Sequence, residues 1–355
     1  MKEPSYKEAL EAFINPFHEF SAEPVTNGLI NESYKITNRN TGESFLLQQI
    51  NQHVFREPEK IQQNYVALWN YLKSERIPFF IPALKYFADN KLFYSDQHNR
   101  CWRVFAFIDG TKTLFTARNE KQAATVAETF AAFTACFRNF SAEQLHVTIP
   151  DFHNVSLRFY QFSQAAKCAT KERVNKCKPL IEDLKAREKY ANLYDVFTES
   201  DEFLLRVMHH DAKISNILFD IDSGKVVCPV DFDTAMPGYF FSDIGDMIRS
   251  MCCTEDENSS EFDNIQIRKG FYEAIISGYT DVLGEELTAS ERKYIHTTGL
   301  LVIYMQALRF LTDYLNNNIY YRISYPEQNY IRAINQITLL KSLEDFLSRN
   351  YNFRY

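Results

Sequence analysis

Apolar residues at Leu10, Phe13, Ile14, Phe17 and Phe20 recur at helical spacing, so the chain is expected to open on an amphipathic helix that covers the neighbouring domain. From Val25 to Ile50 the period changes. Short apolar and β-branched runs are broken at Asn27-Gly28 and again at Asn38-Arg39-Asn40-Thr41-Gly42, the pattern of an antiparallel meander. Glu57-Pro58 then opens a helix to about Lys73, with Ile61, Tyr65, Leu68, Trp69 and Leu72 on one face. Strands are expected around Ala83 to Tyr94 and from Trp102 to Ile108. Residues 1–108 therefore read as a small sheet crossed by one main helix.

After Asp109-Gly110 the pattern turns helical, with apolar-periodic segments at Asn119 to Phe137, Leu157 to Lys167, Lys178 to Lys189 and Phe262 to Val282. This predicts a second, mostly helical domain over 109–355. One interruption matters. Ile217 to Phe219, the turn Asp222-Ser223-Gly224 and the run Lys225 to Val230 read as a β-hairpin, which sets Asp211 and Asn216 just before one strand and Asp231 just after the other. Their side chains are then expected at one edge.

Composition narrows the function classes. The sequence is 45% hydrophobic over 355 residues, enough for a buried core and against disorder. Its 39 Lys and Arg against 46 Asp and Glu leave a net charge of −7 without a basic run, so nucleic acid is not an expected partner. The 7 cysteines are odd in number and form no C-x-x-C pair, and they read as reduced, mostly buried thiols. The start, Met1 to Glu8, lacks an apolar signal region, and the apolar run Leu300 to Met305 is too short to span a bilayer. A cytoplasmic protein with no membrane partner is the expectation.

The chemistry concentrates in His209-His210-Asp211-Ala212-Lys213-Ile214-Ser215-Asn216, followed by Val230-Asp231-Phe232-Asp233 and Ser242-Asp243-Ile244-Gly245-Asp246. Phosphoryl transfer to a hydroxyl needs alignment and charge neutralisation more than covalent help. An Asp, an Asn five residues on and a second Asp after the next strand supply those parts. In this reading Asp211 accepts the acceptor's proton or orients its hydroxyl, Lys213 leans on the transferring phosphoryl group, and Asn216 and Asp231 hold Mg²⁺. His209 is expected to pack under the loop. Asp243 is expected to cap free N–H groups and anchor the loop from below. Asp233 is weighed as a third carboxylate for the metal, against a structural role.

These motifs resemble those of the aminoglycoside phosphotransferase and choline kinase superfamily, in which H-x-D-x-x-x-x-N precedes an (I/V)-D-(F/L/W) metal motif and D-(I/L)-(G/A). The resemblance runs along nearly the whole chain. It implies an α+β, bilobal protein-kinase-like fold with ATP and Mg²⁺ as cofactors. Within the superfamily the likeness extends to the N-acetylhexosamine 1-kinase branch, on Gly28-Leu29-Ile30-Asn31, Leu47-Gln48-Gln49-Ile50-Asn51, Trp102-Arg103-Val104-Phe105, Asp233-Thr234-Ala235-Met236-Pro237-Gly238, Gly245-Asp246-Met247-Ile248-Arg249 and Arg309-Phe310-Leu311-Thr312-Asp313-Tyr314-Leu315.

That branch phosphorylates the anomeric hydroxyl of N-acetylglucosamine or N-acetylgalactosamine. The resemblance places Gly28, Gln48, Phe107 and Ile108 at the nucleotide, Gln48 standing where kinases carry a phosphate-binding lysine. Phosphate neutralisation would then fall mainly on Mg²⁺ and Lys213. A small sugar is the expected partner, with Arg249, Arg309, Asp313 and Tyr314 as its candidate contacts and His153 and Arg158 behind them. Two alternatives stay open: a kinase of another hydroxylated metabolite (another hexose, choline, ethanolamine, homoserine or an aminoglycoside), and a nucleotide-binding regulator without turnover.

Overall fold

The structure is a computed structural model that describes residues 6–14, 19–26 and 30–353. It divides into two compact units, one of Met1–Thr113, Glu143–Pro150 and Ile217–Met236, the other of Leu114–Ala142, Asp151–Asn216 and Pro237–Tyr355. The expected division between 108 and 109 is thus not a single cut. The hairpin returns to the first unit because Thr111–Lys112 pairs with Ile217–Asp220. The segment around His146 returns because its backbone N–H and C=O both bond the buried side chain of Asn64.

The first unit is built on an antiparallel sheet in which Phe20–Val25, Glu32–Asn38, Ser44–Gln49, Cys101–Ala106 and Leu84–Lys85 are successive neighbours in space. Alternation along the strands gives it two faces. Ile36, Phe45, Leu47, Trp102 and Val104 form the core on one face, covered by Ala9 and Leu10 of the helix Lys7–Phe13. The opposite face carries Gln48, Arg103 and Phe105, and Tyr65 of the helix Pro58–Ser74 meets the Phe105 ring edge-on at 5.2 Å.

The opening helix is shorter than its apolar spacing suggests. Ile14 is already extended and Phe20 begins a strand. Residues 15–18, Phe17 among them, lie outside the described residues. The expected strand over Ala83 to Tyr94 is instead two short strands, Leu84–Lys85 and Tyr94–Ser95, separated by a turn at Asn90, whose φ is 63°.

The second unit is helical and organised around Thr297–Leu315, which is buried on nearly every side. Phe241–Met251 and Gln328–Tyr351 pack on it. Small residues set the spacing: a Cβ on Gly245 would stand 2.5 Å from the Thr298 carbonyl oxygen, and one on Gly299 would stand 2.7 Å from Ile248 Cγ2. The helix Glu120–Cys136, capped by the Asn119 side chain, packs along Lys269–Leu283. Among the described residues no helix is long and apolar enough to cross a membrane, and all 7 cysteines are free thiols. The α+β, kinase-like class expected from the sequence is the class observed.

Candidate active site

The strand Arg206–Met208 delivers the chain to a tight loop in the second unit. His209 is fully buried, edge-on to Phe130 at 5.0 Å and to Phe133 at 6.1 Å, and its Nδ1 lies 3.4 Å from the Asp211 N–H. It packs under the loop as expected. His210 adopts the left-handed conformation at φ 65°, which a non-glycine residue holds only when its surroundings over-determine it. Asp243 does so from below, its Oδ2 accepting the His209 N–H at 3.0 Å and its Oδ1 the His210 N–H at 2.7 Å. Both oxygens serve the loop and no side chain caps the Phe241–Met251 helix, so the anchoring role holds and the capping role does not. Burial pushes the Asp243 carboxyl up to about 7 despite these two donors.

Above that anchor the motif residues converge within one unit. Lys213 Nζ lies 2.8 Å from Asp211 Oδ2, and Asn216 Nδ2 donates to the Asp211 backbone oxygen at 2.8 Å and to its Oδ2 at 2.9 Å. Burial would raise the Asp211 carboxyl, but the Lys213 ammonium, the buried His209 and the Asn216 amide together hold it below its ordinary value. Asp211 is therefore an ionised acceptor at neutral pH, suited to orienting a hydroxyl.

The same bonds orient Asn216. Both partners of its Nδ2 accept only, so the amide oxygen is the end left for a cation. Asp231 belongs to the first unit and has φ 64°. There Ile217, next in sequence to Asn216, pairs with Pro229, two residues before Asp231, so the chain enters and leaves the hairpin at the same end. An amide oxygen and a carboxylate oxygen are each hard donors of the kind Mg²⁺ takes.

The first unit reveals a group that reading the motifs missed. Gln48 stands opposite Arg103 in the strand register, with Ser33 on its other side. Its Oε1 accepts from Arg103 Nε at 2.9 Å and Nη2 at 2.6 Å, while its Nε2 donates to Ser33 Oγ at 3.0 Å. Arg103 Nη1 completes a buried ion pair with Asp233 Oδ1 at 2.6 Å. The other Asp233 oxygen accepts from Asn31 Nδ2 at 2.8 Å. Asp233 is thus engaged inside the unit on both oxygens, which favours its structural role over a third metal ligand.

Phe107 and Ile108, expected at the nucleotide, lie just past the strand Cys101–Ala106. Phe107 donates its N–H to the Ser44 carbonyl at 3.2 Å, and the Ile108 carbonyl accepts from Thr111 Oγ1 at 2.6 Å. Gly28 lies outside the described residues.

Among the residues expected at the acceptor, the Arg309 guanidinium lies 5.5–5.7 Å from the ring centres of Phe152, Tyr320 and Tyr321. Among the described residues no carboxylate forms an ion pair with it. Arg158 is close enough for the two guanidiniums to repel, and burial together with that repulsion lowers its pKa. His153 bonds Ser242 Oγ through Nδ1 at 3.0 Å, and burial with the surrounding cations holds it neutral. Arg249 is tied to Asp246 at 2.9 Å and Glu257 at 2.7 Å.

Asp313 and Tyr314 are not brought into this group as contacts. Asp313 accepts the backbone N–H groups of Tyr320 and Tyr321 at 2.8 and 3.0 Å, so it shapes the loop that carries those rings. Tyr314 is five residues from Arg309 on one helix, about 140° around the axis, and its hydroxyl bonds Glu327 at 3.1 Å. Tyr320 and Tyr321, an aromatic pair after an apolar helix, were the available sequence signal.

The profile of the phosphotransferase enzyme family (APH) matches residues 21–280. An aminoglycoside phosphotransferase structure from Alicyclobacillus acidocaldarius superposes with a TM-score of 0.63 at 13% identity, covering 98% of each chain. An ethanolamine kinase from Plasmodium vivax gives 0.59 at 15% identity over 94% of this chain and 87% of that one. A spectinomycin phosphotransferase solved with ADP and spectinomycin gives 0.53 at 12% identity, over 91% and 93%. The likeness spans nearly the whole fold, and with the family profile covering most of the chain, this protein belongs to the phosphotransferase enzyme family.

Proposed function

We propose that the chain is an ATP- and Mg²⁺-dependent kinase that phosphorylates the anomeric hydroxyl of an N-acetylhexosamine. The observation that carries the kinase reading is the Asp211, Lys213 and Asn216 hydrogen-bonded set on a loop anchored by Asp243. Asp211 orients the acceptor hydroxyl and takes its proton, and Lys213 moves from Asp211 onto the transferring phosphoryl group. Asn216 and Asp231 are the residues that would hold Mg²⁺, which when bound neutralises phosphate charge. The family relative solved with ADP supports a nucleotide donor.

The acceptor assignment rests on charge and shape around Arg309. Guanidinium donors beside three aromatic rings suit the hydroxyls, acetamido carbonyl and apolar face of a sugar. A choline or aminoglycoside cation would meet Arg158 and Arg309, and among the described residues no carboxylate is paired with Arg309 to offset its charge. Purified protein with ATP, Mg²⁺ and N-acetylglucosamine or N-acetylgalactosamine is expected to yield the sugar 1-phosphate, read by phosphorus NMR, and to stop on chelation of the metal. Transfer only to another hydroxyl, or only to an amino alcohol, would overturn the sugar assignment.

A further inference from the structure

We propose that Arg103 is the positioning cation of the first unit: it supplies in this chain what a strand lysine supplies elsewhere, without touching phosphate, by fixing Asp233 and through it Asn31. The inference rests on the kinase reading. The Arg103 side chain is 2% exposed and every arm is engaged within the unit, two on Gln48 Oε1 and the third on Asp233 Oδ1 with Gln62 Oε1 at 3.4 Å. No arm is left to reach a ligand.

Asp233 lies two residues after Asp231, and its own carbonyl accepts from Thr148 Oγ1 at 2.8 Å. Asn31 lies two residues after Leu29, and its Oδ1 accepts the Asn51 N–H at 2.9 Å. One ion pair therefore sets both the turn that follows the proposed metal-binding Asp231 and the position of Asn31. Breaking a buried pair is costly, while keeping one adds little net stability, so its value here is in geometry.

The same arrangement explains the uncharged residue at position 48. An amide oxygen can accept two guanidinium N–H groups, whereas a lysine ammonium has only donors and would repel Arg103. Gln48 is an orienting acceptor in this arrangement, and a lysine at that position cannot replace it.

The test uses the full chain with Arg103→Lys, Gln48→Met, Gln48→Lys and Asn31→Ala. Calorimetric Kd for Mg-ADP, KM for ATP and for the acceptor, kcat and Tm are measured for each. Arg103→Lys keeps the charge but loses the fork. It and Asn31→Ala are expected to weaken Mg-ADP binding and raise KM for ATP by roughly 10–100-fold, with the acceptor KM unchanged. Gln48→Met is expected to act in the same direction, and Gln48→Lys to worsen binding rather than restore a kinase lysine.

Wild-type Kd and KM in folded Arg103→Lys and Asn31→Ala, or tighter nucleotide binding by Gln48→Lys, would overturn the proposal. Should Arg103→Lys fail to fold, Asn31→Ala decides, since it leaves the ion pair in place. Wild-type protein that neither binds ADP nor transfers phosphate would instead overturn the kinase reading, and this proposal with it.

Discussion

Asp243 Oδ1 receives the backbone N–H of His210 at 2.7 Å, and His210 is held there at φ 65°. A side chain on one helix thereby holds the backbone conformation of the residue just before Asp211. Asp243→Asn replaces one of two accepting oxygens with a donor that faces an N–H. A loss of about 1–3 kcal/mol in unfolding free energy is expected, the cost of an unmatched buried donor, together with a fall in kcat. Chemical denaturation and steady-state kinetics check both.

The same carboxyl predicts a pH dependence. Burial raises Asp243 from 3.8 to about 7, so between those values the folded chain holds a proton that the unfolded chain has released. Bound protons then favour the folded state, and stability contributed by this group falls as pH rises across that window. Unfolding free energies measured from pH 4 to pH 8 are expected to show this slope in the wild type and to lose it in Asp243→Asn.

Asp211 acts with the opposite sign. Its carboxyl is held below 3.8, chiefly by Lys213 acting against burial, so its contribution is full above that value and is lost as pH falls through the folded-state pKa. Asp211→Asn is expected to remove this acid-side loss and to lower kcat by about 10²–10⁴-fold. An acid titration of stability and a single-turnover assay separate the two effects.

Arg309 is the acceptor-side test. Replacing it with Met removes the guanidinium but keeps a side chain of similar reach against Phe152, Tyr320 and Tyr321. The acceptor KM is expected to rise by about 10–100-fold, the loss of one charge-assisted hydrogen bond, while KM for ATP stays near wild type. A change confined to the ATP KM would contradict the assignment.

Gly245 tests the packing beneath the site. A methyl group there would meet the Thr298 carbonyl oxygen at 2.5 Å and Val302 Cγ2 at 2.4 Å, and the backbone oxygen cannot move aside alone. Gly245→Ala is expected to cost about 1–3 kcal/mol as an overpacked core. Gly238→Ala would instead press on the His210 ring, where Cε1 stands 2.4 Å from the added Cβ, and is expected to lower kcat more than stability.

The sequence by itself determined what is local. Asp211, Lys213 and Asn216 lie within one loop, so their spacing was enough to single them out together, while the hydrogen bonds that join them appeared only in the structure. The hairpin after them was legible because alternation and a turn at Gly224 are short-range signals. Helix positions came from the apolar period, with boundaries blurred where caps decided them. Tertiary structure decided the rest. Asn31 and Asp233 are 202 residues apart, and no periodicity announces that they bond. Arg103 reads from sequence as part of a strand motif, and its partner is unknown until the register sets it opposite Gln48. Asp313 and Tyr314 are neighbours in sequence with separate tasks, because a helix turns about 100° per residue and sends adjacent side chains to different surroundings.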